Sequence, residues 1–197
     1  MYTVKELCFD LSRFNSKVYP VSDFVLSLIA HQENAELLSY ESTIKYAEFP
    51  ALDLKADEKE TFGDSVHGEH VEVFKALNWL GGKGVCEIIE LIVPDRLVNP
   101  HDEVKIGKYV RDFKVEVLNW RFLDMSISVF EDPLTGDRSA LERIRKLYLY
   151  ASGKRAIISH WLSKEGVPSL PNVCLLMCKL RHAGFLVHAA VLIMFFN

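Results

Sequence analysis

The sequence predicts an α/β fold: a mostly parallel sheet of three to four strands with covering helices, preceded by a helical N-terminal segment. Two observations carry this. Short runs rich in Val, Ile and Leu alternate with amphipathic segments from residue 70 onward, and such alternation produces a parallel sheet covered by helices. Glycine and proline fall at the joints, with Gly81, Gly82 and Gly84 after one helical segment and Pro94 closing the strand that follows.

Three regions follow in order. Residues 1–60 read as helical and irregular. In "SDFVLSLIAHQENAELLSY", Ser22 and Asp23 are candidate caps, and Phe24, Leu26, Leu28 and Ile29 form an apolar face. "ADEKETFGDSVHGEH" is a polar connector containing the soft boundary. Residues 61–173 form the α/β module. "HVEVFKALNWL" is an amphipathic helix, and "VCEIIELIV" a buried strand whose Cys86 is expected to be a buried free thiol.

"NPHDEVKIGKYVRDF" restarts a helix at Asn99 or at His101-Asp102, with Val104, Ile106, Tyr109 and Val110 facing inward. "KVEVLNW" is the next strand, so this strand–helix–strand run is a βαβ unit with a right-handed crossover. "RSALERIRK" forms a short helix and "LYLYASG" a third strand. "KRAIISHWLSKEG" is a further amphipathic helix, and "LPNVCLLM" begins a possible fourth strand. Residues 174–197 are an apolar tail.

Composition narrows the function classes. The 197 residues carry a formal net charge of -4, with Lys and Arg scattered among acids, so no nucleic-acid partner is expected. Charges at Lys5, Glu6, Asp10, Arg13 and Lys17 leave no room for a secretory apolar core. The four cysteines do not make a disulfide framework, and a reducing, cytoplasmic location is expected. The run from Gly184 to Phe196 is short of the ~20 apolar residues of a spanning helix, so membrane contact is unexpected, though a tail-tethered protein is a third reading.

The candidate site lies where strands end. Ligands of open parallel sheets bind beyond the carboxyl ends of the strands. Those ends supply Asp95 and Arg96, then Asn119 and Arg121, then Ser152 and Lys154. This set defines the alternative reading of a small-ligand or nucleotide-binding domain. "YASGKRA" lacks the first glycine and the Ser/Thr of a phosphate loop. Cys174, Cys178 and His182 would share a face of a helix, but an apolar setting favours buried thiols over zinc. "HGEH", His67 to His70, is not a metalloprotease motif. Asp102 and Glu103 suit a helix start, and the acids of "PDRLVNPHDE" have no visible acid–base partner. No catalytic residue, metal or cofactor is expected.

The helix ending "LNWL", the strand "EIIELIVPDRL", the "NPHDE" helix start, "VEVLNWRFLDMSIS" and "LYASGKRA…HW" together resemble a module of fungal intracellular subtilisin-like serine protease-domain proteins, where it precedes the peptidase domain. The resemblance covers Glu60 to Val173. It implies a non-catalytic regulatory or interaction module with a protein partner. The peptidase's own Asp, His and Ser motifs are absent from this sequence. After "LPNV" the chain departs from the pattern into "CLLMCKLRHAGFLVHAAVLIMFFN". That tail reads as truncated or non-native, and as a route to self-association.

Overall fold

The computed structural model describes residues 7–15, 18–30, 41–52, 70–97, 99–173, 175–182 and 185–187. Seven strands and five α-helices occur among them. In chain order they are β1 (Cys8–Asp10), α1 (Val21–Ala30), β2 (Thr43–Glu48), α2 (Glu72–Gly82), β3 (Glu87–Val93), α3 (Glu103–Asp112) and β4 (Val117–Trp120). Then come a 3₁₀ turn (Ile127–Phe130), α4 (Ser139–Arg143), β5 (Lys146–Ala151), α5 (Arg155–Trp161), β6 (Leu175–His182) and β7 (Phe185–Val187).

The α/β class is as expected, but the sheet has seven strands, not three to four. The helical N-terminal segment is corrected too. Residues 1–60 supply β1 and β2, and β2 pairs in parallel with β3 across the expected boundary at 60/61. β1 has three residues, too few to show a period, and "TIKYAE" mixes charge with apolar residues. In α1 the helix already begins at Val21, so Ser22 and Asp23 lie inside its first turn; Val21 and Val25 are buried while Leu26 is exposed.

Strand order equals chain order, β1 to β7. The pairs from β1–β2 to β5–β6 are parallel, and β7 is antiparallel to β6. Each parallel connection therefore steps one strand in the same direction. Right-handed crossovers of that kind lay their helices on one face of the sheet. Burial agrees. Leu91 and Val93, Leu118 and Trp120, and Leu147, Leu149 and Ala151 point into one core with α2 and α3. The alternate residues Tyr46, Glu48, Glu90, Ile92, Val117, Asn119 and Tyr148 are only partly buried. On that same face Ile44 and Ile88, near the start of β2 and β3, and Tyr150 of β5 are buried, so one-sided burial holds only toward the carboxyl ends of β2 to β4.

Two helices end alike. After α2, Gly84 has φ +94; its N–H reaches the Gly81 carbonyl at 3.0 Å, and the Val85 N–H reaches Leu80 at 3.2 Å. After α3, Lys114 has φ +50, with 3.1 Å bonds from its own N–H to Arg111 and from Val115 to Val110. Both are left-handed C-caps, one on glycine as expected and one on lysine. α3 is capped by Asp102, whose carboxylate accepts the Lys105 N–H at 2.8 Å. Its inner face holds Ile106, Tyr109 and Val110, but Val104, expected inward, is 62% exposed.

Cys86, expected to be buried, is an exposed free thiol one residue ahead of β3. Cys178 and His182 lie on a strand, not a helix. Four residues of strand span about 13 Å, too far for one metal ion. Cys174 and the rest of the apolar tail beyond Val187 lie outside the described residues, as do His67 and Glu69. Among the described residues no helix is long and apolar enough to cross a membrane.

Gly107 lets α3 touch the 3₁₀ turn: a Cβ there would lie far inside contact distance of the Val129 carbonyl oxygen. Gly107→Ala should destabilise the chain by about 1–3 kcal/mol in urea unfolding, the usual cost of overpacking. Lys114→Gly should act in the opposite sense. It relieves a left-handed lysine and should raise the unfolding midpoint, with a gain in stability of up to about 1 kcal/mol.

Candidate functional site

Among the described residues three polar or charged side chains are buried, and they meet at the carboxyl edge of the sheet. Asp95 follows β3, His101 precedes the cap of α3, and Glu72 is the first residue of α2. Asp95 is 0% exposed and accepts four N–H groups. The backbone N–H groups of Arg96 and His101 donate at 2.7 and 3.1 Å, the His101 ring through Nδ1 at 2.9 Å, and Trp120 through Nε1 at 2.8 Å. Arg121 braces the same turn from outside, donating from Nε to the Asp95 carbonyl at 2.6 Å and from its guanidinium to Pro94 at 3.1 Å.

The other ring nitrogen of His101 faces Glu72, 3.6 Å from Oε2. Glu72 is ion-paired with Arg96 and lies 3.9 Å from His70 Nδ1. The edges of Phe74 and Trp120 wall the His101 ring, with centroids 5.0 and 5.8 Å away. An anion so enclosed survives only with matched donors.

Burial pushes the Asp95 carboxyl up. The hydrogen bond and positive charge of His101, with the Trp120 and Arg96 donors, outweigh it and hold the group below the ordinary aspartate range. Burial acts the same way on Glu72. Its backbone hydrogen bond and the charges of His101 and Arg96 outweigh it, so this carboxyl also sits low. His70 is pushed down, first by burial and then by the Arg96 charge.

Beside this cluster a cleft of about 250 Å³ opens between the start of α1, at Val21 and Ser22, and the start of α2, at His70 and Glu72, with Leu52 and Arg96 along its wall. An Asp–His pair is the orienting half of a nucleophilic triad. Here the ring nitrogen that would take a proton faces Glu72, and His101 itself is 1% exposed. Among the described residues no group of three His, Cys, Asp or Glu side chains is placed to hold a metal ion.

The six residues expected at the strand ends separate in space. Asp95, Arg96 and Arg121 come together, and of the six only Arg96 lines the cleft. Asn119 accepts the Tyr150 hydroxyl at 2.8 Å. Burial pushes that hydroxyl's pKa up to about 12, the Arg121 charge opposing. Ser152 donates its N–H and hydroxyl to Asp124 at 2.8 and 2.6 Å. Lys154 is exposed at the cap of α5. Glu72, His70, His101 and Trp120 were not among the expected residues. The six-residue spacing of Asp95 and His101 across a proline-bearing loop was the one available signal. No family model matches the chain, and no match is found among the curated proteins or the solved structures.

Asp95→Ala strands two side-chain donors and two backbone N–H groups, and should cost about 3–5 kcal/mol in urea unfolding. Lys154→Ala should stay within about 0.5 kcal/mol. The depressed carboxyls of Glu72 and Asp95 set the pH dependence. Their stabilisation is complete above the ordinary carboxylate range and is lost as pH falls through their lower folded values, so a unfolding–pH series should be flat near neutrality and steep in acid.

Proposed function

We propose that this chain is a non-catalytic, regulatory protein-interaction module, the role implied by its resemblance to subtilisin-associated modules, and that it binds its partner on the face of the sheet that no helix covers among the described residues. The observation that carries this is that, among the described residues, burial is one-sided toward the carboxyl ends of β2, β3 and β4. Parallel sheets are ordinarily covered on both faces. Here Tyr46, Ile92, Val117 and Tyr148 stay partly exposed on the face opposite the helices. The buried polar cluster supports the non-catalytic part, because the charges of Glu72, Asp95, Arg96 and His101 are spent on one another.

Two arginine variants test it. Ile92→Arg alters the open face, and Val104→Arg alters an exposed site on α3. The first should abolish capture of a protein partner from cell extract, and the second should leave capture intact. Equal capture by both variants, or peptide hydrolysis by the pure chain that disappears on His101→Ala, contradicts the reading.

A second reading, small-ligand binding, is favoured by the cleft beside Arg96 and His70. It expects a thermal shift with small carboxylates or phosphates that Arg96→Gln removes and Lys154→Ala keeps. A panel giving no shift with the native chain removes it.

A further inference from the structure

The open face is not uniform. Toward the carboxyl ends of β1, β2 and β3 it carries Asp10, Glu48 and Glu90, with Tyr46 and Ile92 among them. The strand register sets Asp10 beside Glu48 and Glu48 beside Ile92, and sets Tyr46 beside Glu90. The Tyr46 hydroxyl donates to Asp10 at 3.2 Å, which fixes both side chains on one face. No ion pair to Glu48 or Glu90 occurs among the described residues. The acids elsewhere on the sheet differ: Glu87 has Thr43 and Arg143, and Glu116 has Arg145.

Resting on the interaction reading above, we propose that the β1–β3 half of the open face docks a basic, extended segment of a partner protein, seating its Lys or Arg side chains among Asp10, Glu48 and Glu90 and its apolar side chains on Tyr46 and Ile92. Three features on this face select that occupant. Between β2 and β3 the surface alternates acidic and apolar groups, so it matches a segment that alternates basic and apolar residues. Arg13 acts on Asp10, but no ion pair to Glu48 or Glu90 occurs among the described residues, so a cationic partner gains while an acidic or self-identical one is repelled. The chain's net charge of -4 adds to that repulsion between copies. Burial raises the Glu48 carboxyl, and the neighbouring charges that push it further, those of Asp10 and Glu90, are both negative. An arriving ammonium or guanidinium reverses that push.

The test uses the full chain and two synthetic peptides, one alternating Lys with Leu and one alternating Glu with Leu, followed by calorimetric titration. The Lys–Leu peptide should bind, and the Glu–Leu peptide should not. The double variant Glu48→Gln/Glu90→Gln removes charge at constant shape and relieves mutual repulsion, so it should fold as the native chain does. It should weaken the Lys–Leu complex about tenfold or more, whereas Asp112→Asn on the helical side should leave it unchanged. Rising salt should weaken the complex. So should acidification beginning above the ordinary glutamate range, because Glu48 takes its proton early. Equal affinity for the two peptides, or native affinity in the double variant, overturns the proposal. If Ile92→Arg still abolishes partner capture in that case, the interaction reading stands without the basic partner. If neither Ile92→Arg nor the double variant changes anything, both fall.

Discussion

The rest of the structure depends on the Asp95 carboxylate. It gathers donors from the chain just after β3, from the loop leading to α3, and from the indole at the end of β4. Those contacts fix the end of a central strand to the start of the next helix and to the neighbouring strand. Through His101 the same group reaches Glu72, and Glu72 with Arg96 sets where α2 begins. The desolvation cost of these anions is offset only because every element arrives in register. The cluster therefore acts as a check on the fold, and it leaves little free charge for chemistry.

With the carboxyl edge closed in this way, the two faces of the sheet diverge. Sequential strand order commits the crossovers to one side, and the apolar residues follow them. Toward the carboxyl ends the opposite side is left with Tyr46, Tyr148, Ile92, Asn119 and acids, none of them under a helix among the described residues. A parallel sheet in that state has apolar area still to bury. We propose that a partner buries that area, and that its charge complements Glu48 and Glu90, which have no ion pair among the described residues.

Much of the module was legible in the sequence. β3, α3, β4, β5 and α5 are long or strongly patterned, and their caps and breakers, Asp102, Gly84 and Pro94, say where they begin and end. β1 and β2 were not legible. A three-residue strand has no period, and β2 borrows its place from the register with β3, which is a tertiary fact. The site was half visible. The strand-end rule found Asp95, Arg96 and Arg121. It could not find Glu72, because an acid at a helix start looks solvated until the fold buries it. It also grouped Asn119, Ser152 and Lys154 with them, although each is turned to a separate local role. Lys114 shows the reverse case, a left-handed cap that its residue type conceals.

The most direct measurement is hydroxyl-radical footprinting of the full chain, alone and in its partner complex. The account predicts labelling of Tyr46, Tyr148 and Ile92 in the free chain, protection of the helix-facing Leu91 and Leu147, and loss of the first three signals in the complex while Val104 and Leu134 stay labelled. Protection of Val104 and Leu134 with continued labelling of Tyr46 and Ile92 contradicts it, because the partner then sits on the helices and the open face is not the working surface.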